Sequence, residues 1–310
     1  MEYRPLGRTG LTVSAVSLGT GSLGEMFGPL DEADAIGLVH EAIDSGITLI
    51  DTSPYYGSAE HRLGKALAGG RRQQVVLATK AGRYGFDDFD FSPRRIRESL
   101  DRSLRLLGTD YIDVLQLHDV EFVPLGPVLD DGFAELERLK DAGKARFVGM
   151  TGYPIKTFAR VMRETDVDVV LTYAKGTLLD DSLTTDLVPI ADDRGVGLMN
   201  AAAVALGLLT PRGSTINIDH PAPPEVQDAA RRMVSYANDR GADIAFLANQ
   251  YAIQRTGTAT TVVGAGKSRN LQSAIRAAST PIDEELLASV LALRPPVGRR
   301  QWKMGLEENN

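Results

Sequence analysis

Short apolar runs alternate along the chain with longer segments whose apolar residues recur at helical spacing. The runs are VSAVSLGT (13–20), ITLIDTS (47–53), VVLATKA (75–81), IDVLQLHD (112–119), ARFVGMTG (145–152), VDVVLTYA (167–174), GVGLMNAA (195–202) and TATTVVGAG (258–266). They are continuous rather than alternating in polarity, which is the pattern of parallel strands buried on both faces. Between them, DEADAIGLVHEAIDSG opens on acidic residues and stops at Gly46. SPRRIRESLDRSLRLLG offers Ser92 as N-cap, Pro93 at the first helical position and Gly108 past the end. GPVLDDGFAELERLKDAG ends at Gly143, SLTTDLVPIADDRG at Gly195 and PPEVQDAARRMVSYANDRG at Gly241. Strand–helix units repeated in this way predict an α/β fold, a (β/α)8 TIM barrel. No composition break marks a linker, so residues 1–310 are expected to form a single domain. The first dozen residues, with LGRTG as a turn, read as a β-hairpin placed to close the barrel bottom. IDEELLASVLALRPP (282–296) reads as an extra C-terminal helix, and the tail beyond it carries the only tryptophan, Trp302. TPRGSTINIDHPAPP (210–224) is the one long irregular loop. It follows the seventh strand and is therefore expected at the catalytic face.

Composition narrows the function classes. A chain of 310 residues with 43% hydrophobic residues can bury a large core. The net charge of −7, without a basic tract, speaks against nucleic acid and anionic membranes as partners. Cysteine is absent, which removes disulfides, cysteine–zinc sites and a thiol nucleophile. No run of roughly 18 apolar residues predicts a spanning helix, and MEYRPLGRTG has no signal-peptide core. The expectation is a cytoplasmic protein, a monomer or small homo-oligomer, acting on a small molecule. The four histidines, His40, His61, His118 and His220, form no H-x-H pattern, so no metal site is expected.

Two glycine motifs invite a nucleotide reading. Gly19-Thr20-Gly21-Ser22-Leu23-Gly24 fits G-x-G-x-x-G after a strand, but a Rossmann fingerprint must open a helix at once. Gly28 and Pro29 intervene, and the helix is expected to begin near Asp31, so the motif reads as a loop above the first barrel strand. Gly264-Ala265-Gly266-Lys267-Ser268 resembles the end of a P-loop but has Thr261 where that motif needs its first glycine. What remains is either a plain βα turn or a phosphate cradle at a helix N-terminus, with Lys267 and Arg269 adding charge.

A third set is more specific. Asp51 and Tyr55-Tyr56 follow the second barrel strand, Lys80 ends the third and His118 ends the fourth. Each has a structural explanation when taken singly: a turn cap, a packed phenol, an outward lysine, a hydrogen-bonded core histidine. Together they converge on one rim of a barrel. The chemistry is coherent, because a buried ammonium beside a phenol is expected to lower its pKa from about 10. A carboxylate keeps that ammonium charged, and a neutral imidazole can donate to a reacting oxygen. Such an assembly moves a proton on or off a carbonyl or hydroxyl oxygen. Hydride transfer needs that step together with a nicotinamide.

At these residues the chain resembles the aldo-keto reductases, (β/α)8 barrels that bind a nicotinamide without a Rossmann domain. The resemblance runs from RPLGRTGLTVSAVSLGT to the helix after VVGAGKS. The family motif places its aspartate five residues before the catalytic tyrosine, which selects Tyr56 and leaves Tyr55 to line the pocket. DTSPYYG, TKAGRYGFDDFDFS, LQLHDVEF, GMTGYP, NAAAVALGLLT and HPAPPE are similar to the L-galactose dehydrogenase branch. That branch implies oxidation at C1 of a free aldose such as L-galactose or L-fucose, giving a lactone. The implied catalytic residues are Asp51, Tyr56, Lys80 and His118, with Tyr56 the acid/base. Implied cofactor contacts are Gly19, Thr20, Thr151, Gly152, Tyr173, Asn200, Ala201, Gly207, Leu208, Gly264, Ala265, Gly266, Lys267, Arg269 and Asn270. Implied substrate contacts are Tyr55, Tyr84, His118, Asp119 and Lys175. The chain departs from the family where many members stack an aromatic on the nicotinamide, since Ala201 stands there. It departs from the branch at Ala202-Ala203 and at Tyr173-Ala174-Lys175-Gly176. Lysine is rarely buried, so Lys175 reads as solvent-exposed. The alternative is a contact to an acidic or highly hydroxylated substrate. The cofactor is NAD or NADP, with NAD favoured because Lys267, Ser268 and Arg269 are shifted from the positions that hold a 2′-phosphate. The rival readings are an NADPH-dependent reductase of small aldehydes or ketones and a non-catalytic nucleotide-binding subunit.

Overall fold

The computed structural model describes residues 1–211 and 220–310. Two short strands, β1 (Tyr3–Pro5) and β2 (Thr12–Ser14), pair antiparallel as the predicted hairpin. The barrel strands are β3 (Val16–Gly19), β4 (Leu49–Asp51), β5 (Val76–Ala81), β6 (Ile112–His118), β7 (Ala145–Gly152), β8 (Val169–Tyr173), β9 (Gly197–Ala201) and β10 (Thr260–Gly264). They close in the order β10-β3-β4-β5-β6-β7-β8-β9, all parallel. Each expected strand lies within one of the apolar runs. Except for β7, which spans its whole run, the structural strands are shorter because the run ends turn outward into loops.

The outer ring contains the helices expected from periodicity. Pro93–Leu107 shows both its predicted ends: Ser92 Oγ accepts from the Arg95 N–H at 3.4 Å, and Gly108 closes the helix in the left-handed conformation. The extra helix is Glu284–Leu291, capped by Asp283. Val128–Phe133 is π-helical ahead of Ala134–Asp141, and Leu183–Leu187 is π-helical ahead of Val188–Arg194. Pro189, which has no N–H, sits where the second of these tightens.

Three helices escaped the periodicity. Ala59–Leu67 and Ile155–Glu164 are short and follow loops directly. Ile244–Gln254 is apolar on nearly every side, and most of its residues are buried, so it has no polar stripe to reveal its period. Of the long loop at 210–224, residues 212–219 lie outside the described residues.

The hairpin does plug the bottom. Leu6, Leu11 and Val13 pack with Leu49, Ala78, Val114, Val169 and Met199 inside the barrel. The Arg8 N–H donates to the Gly195 carbonyl at 2.6 Å, and Arg4 donates to the carbonyls of Ile253 (2.8 Å) and Thr258 (3.1 Å). Gly7 makes the approach possible. It is left-handed at φ +53°, and a Cβ there would lie 2.3 Å from the Gly197 amide nitrogen. Gly7→Ala is therefore expected to lift the plug. Backbone strain alone costs about 1–3 kcal/mol, so urea melts should show a lowered midpoint.

Candidate active site

Strand alternation builds the site. On β4, Leu49 faces the barrel interior, so Asp51 does too. On β5, Ala78 brings Lys80 inward. On β6, Val114 brings Gln116 and then His118. The intervening Ile50, Leu77, Leu115 and Leu117 belong to the core shared with the outer helices. The barrel interior is thus apolar below and polar at its C-terminal end.

Within that polar layer Lys80 and Asp51 form a salt bridge, and both are buried. Lys80 Nζ also donates to the Thr52 carbonyl at 2.8 Å, and Gln116 Nε2 donates to Asp51 Oδ1 at 3.1 Å. The ammonium lies 5.0 Å from the centre of the Tyr56 ring. Tyr55, Tyr56 and His118 form a triangle of rings, with centroids 6.0, 5.7 and 5.9 Å apart. Gly24 lets the loop after β3 lie on this turn, because a Cβ there would stand 1.6 Å from the Tyr56 carbonyl oxygen. His118 Nδ1 is 3.0 Å from Ser53 Oγ. Burial, with the charges of Lys80 and Arg83, holds the His118 pKa well below its usual range, so the ring is neutral.

The expected lowering of the Tyr56 pKa is corrected. Burial and the carboxylates of Asp51 and Asp119 push this phenol well above its ordinary value. The physical reason is that Lys80 is committed to Asp51. The pair presents little net positive charge, while desolvation of a phenolate stays unfavourable.

Sequence reasoning missed Arg83, Gln116 and Ser53. Arg83 is salt-bridged to Asp119, donates to Tyr55 Oη at 3.3 Å and stacks 4.2 Å from the Tyr55 ring centre. It brings Tyr55 and Asp119 together beside His118, whose Nε2 is 3.6 Å from Asp119 Oδ2. Gln116 was detectable as the residue two before His118 on the same strand face. Tyr84 is not brought to this cluster: its hydroxyl accepts from the Gly82 N–H (3.0 Å) and donates to the Arg95 carbonyl (3.4 Å).

Lys175 is corrected as well. It is 1% exposed rather than solvated. Its Nζ donates to the Trp302 carbonyl at 3.2 Å, lies 3.5 Å from Asp180 Oδ2 and sits 5.2 Å from the Trp302 ring centre. The tail that supplies Trp302 also docks on Glu121, whose carbonyl accepts from the Leu306 N–H (2.8 Å) and Asn309 Nδ2 (3.0 Å). Glu121 is fully buried, and its Oε1 accepts from the Tyr153 N–H at 3.1 Å. Its Oε2 has no partner among the described residues. Burial, then the Asp119 charge, raises its pKa well above the carboxylate range.

The expected cofactor residues all lie at the C-terminal end of the barrel. Gly19, Gly152, Tyr173, Ala201 and Gly264 end β3, β7, β8, β9 and β10. Thr20 donates to the Asp51 carbonyl at 3.1 Å, and Tyr173 Oη donates to Thr151 Oγ1 at 2.6 Å. Asn200 donates to the Gly176 carbonyl at 2.9 Å, while its Oδ1 is buried without a partner among the described residues. Gly207 and Leu208 follow a left-handed Leu206 in the turn after β9. Ala265, Gly266 and Lys267 lead into the helix Ser268–Ala277, which contains Arg269 and Asn270. A buried free amide oxygen at one edge and an open, cationic helix N-terminus at the other fit a nicotinamide nucleotide spanning the rim. Among the described residues no cluster suited to a metal exists, and no helix is long and apolar enough to cross a membrane.

A closed eight-stranded barrel with this rim is reinforced by comparison with known proteins. The model of the Aldo/keto reductase family matches residues 15–294, and the chain belongs to that family. It is an oxidoreductase of the class that uses nicotinamide cofactors. It is 39% identical to L-galactose dehydrogenase of Arabidopsis thaliana, over 100% of this chain and 99% of that protein. It is 32% identical to D-arabinose 1-dehydrogenase of Saccharomyces cerevisiae, over 85% and 82% of the two chains. A solved aldo-keto reductase from Bacillus halodurans, in its holo form, superposes with a TM-score of 0.77 at 27% identity, covering 95% of this chain and 97% of that one.

Glu121 generates a pH prediction. A carboxyl whose folded pKa is raised stays protonated in the folded protein while the unfolded chain releases the proton. Its stabilising contribution is present below the unfolded value of 4.5 and is lost as pH rises above it. Glu121→Gln keeps the neutral shape without the proton linkage. Thermal melts should show the variant matching wild type near pH 4.5 and exceeding it at pH 8.

Proposed function

We propose that the protein oxidises C1 of a free aldose, of the L-galactose or L-fucose kind, to a lactone, with NAD as partner. The observation that carries this is the convergence of Tyr56, neutral His118 and the Asp51–Lys80 pair at one rim, beside the Arg83–Asp119 pair. Relatives named as sugar dehydrogenases, including D-threo-aldose 1-dehydrogenase of a Pseudomonas species at 28% identity, support the substrate class. Paired donors and acceptors at Arg83, Asp119 and Tyr55 suit a polyhydroxylated ligand better than an apolar one.

The chain's own part in the reaction is positioning and proton transfer. His118 donates a hydrogen bond to the C1 oxygen. Tyr56 exchanges the proton of that oxygen, and Lys80, 5.0 Å from the ring centre, tempers the charge of the phenolate only in part because it is paired with Asp51. Asp51 and Gln116 hold Lys80 in place. The bound nicotinamide supplies the hydride chemistry. Asn200, Thr151 and the turn from Gly264 to Asn270 would hold it.

A specific contact speaks for NAD. Glu41 Oε1 accepts from Ser268 Oγ at 2.8 Å and Gln272 Nε2 at 2.7 Å, at the turn where a 2′-phosphate would need cations. A carboxylate there, opposed by the turn's own Lys267 and Arg269, weakens the hold on that phosphate and suits a ribose hydroxyl. The second reading, a reductase of small aldehydes or ketones, is favoured by the proton Tyr56 keeps, since burial and then the Asp51 and Asp119 charges raise its pKa and carbonyl reduction starts from a protonated phenol.

Purified protein incubated with D- and L-aldoses and either NAD or NADP should generate the reduced-cofactor absorbance with an L-aldose and NAD. The rate should climb with pH through the alkaline range as Tyr56 becomes available as a base. Consumption of NADPH with simple carbonyls, and none of NAD with sugars, would favour the second reading. Tyr56→Phe should remove turnover by at least about a hundredfold while cofactor fluorescence quenching persists. Near-normal rates would exclude Tyr56 as the acid/base. Glu41→Gln should shift the ratio of kcat/KM for NAD over NADP towards NADP by about tenfold, about 1.4 kcal/mol.

A further inference from the structure

We propose that Ser53 sets the tautomer of His118, keeping its single ring hydrogen on Nε2, the nitrogen offered to the substrate oxygen. Ser53 is fully buried. Its Oγ accepts from the Tyr55 N–H at 3.1 Å and lies 3.0 Å from His118 Nδ1. A serine hydroxyl has one hydrogen to give. Among the described residues Oγ makes no other hydrogen bond, so that hydrogen has one acceptor within reach, an unprotonated Nδ1. The opposite tautomer would make Ser53 accept twice and bury its own O–H without a partner, which folded proteins avoid.

The other side of the ring points the same way. Nε2 stands 3.6 Å from Asp119 Oδ2, a carboxylate oxygen that Arg83 holds in a salt bridge. A hydrogen on Nε2 faces that negative oxygen favourably, whereas a lone pair there would face it unfavourably. Burial, with the charges of Lys80 and Arg83, keeps the ring neutral, and Tyr55 and Tyr56 pack against it edge-on. There is therefore one hydrogen to place, and two independent contacts place it on Nε2.

Ser53 is a positioning residue, since it acts through His118. Its Oγ also ties down the Tyr55 amide, and its carbonyl accepts from the Tyr56 N–H at 3.0 Å. One residue thus aligns the turn that presents Tyr56 and selects the donor nitrogen of His118. The catalytic consequence rests on the proposed aldose reaction, but the tautomer assignment does not.

Long-range proton–nitrogen NMR correlation on the full-length 15N-labelled protein at neutral pH tests the assignment directly, with His118 signals identified by their loss in His118→Gln. The expected result is an unprotonated Nδ1 and a protonated Nε2. A protonated Nδ1 in the wild type overturns the proposal whatever any variant does. In Ser53→Ala the pattern should move towards Nδ1–H or a mixture of tautomers, and Ser53→Thr, which keeps a hydroxyl, should restore it. In the aldose assay kcat should drop by about ten- to a hundredfold in Ser53→Ala, with cofactor quenching unchanged. A folded Ser53→Ala protein that retains the wild-type nitrogen pattern and kcat removes Ser53 from the role. The expected nitrogen pattern without turnover of any aldose would leave the tautomer standing and overturn the substrate reading instead.

Discussion

The site depends on an ion pair that water does not reach. Lys80 and Asp51 lie inside the barrel at 1% and 3% exposure. Taking both charges out of water is costly, and losing either partner alone typically destabilises a protein by about 3–5 kcal/mol. The cost is offset by their mutual attraction, by the Thr52 carbonyl and by the Gln116 amide. Those partners exist because β4, β5 and β6 bring alternate residues to one level of a closed barrel. The same neutralisation limits what Lys80 does for Tyr56. Committed to Asp51, it leaves the phenol governed by burial and by two carboxylates, and Tyr56 keeps its proton in the free protein.

Around this pair the rim is built in opposed couples. Arg83 answers Asp119, and Lys175 answers Asp180. Ser53 and Asp119 flank the two nitrogens of His118. Loops at a barrel mouth have no strand ladder to hold them, so side chains and the C-terminal tail supply the order. Arg294 donates to the carbonyls of Leu178 (2.6 Å) and Thr177 (2.9 Å), and both Arg294 and Arg300 reach Asp181 at 2.7 Å. Asn309 ties the loop after β6 through the carbonyls of Glu121 and Val123. Lys175 is a buried bracket between this tail and the loop after β8, which is why a lysine can sit there at all.

How much of this is legible in the chain depends on range. Apolar runs, helix caps and glycine stops are local, so the barrel strands, the hairpin plug and the helix Pro93–Leu107 were readable with their order. So was the convergence of Asp51, Lys80 and His118 on one rim, because each closes an apolar run, whereas the choice of Tyr56 over Tyr55 came only from the resemblance to the family motif. The helix Ile244–Gln254 was not, since burial on nearly all sides erases the polar stripe that a period needs.

Fold class and strand order were thus determined by the sequence itself, since strands, helix stops and their alternation are local patterns, and the sequence also placed the candidate proton-transfer groups at the ends of apolar runs. Only the tertiary structure decided the charges and partners: that Lys175 is buried, that Arg83 reaches Asp119, that Gln116 braces Asp51, that Ser53 meets His118 and that Tyr56 is raised rather than lowered. A pKa and a hydrogen-bond partner depend on distance and on exclusion of water. Water is excluded only when the barrel closes, and contacts such as Lys80 to the Thr52 carbonyl and Lys175 to the Trp302 carbonyl join residues 28 and 127 positions apart.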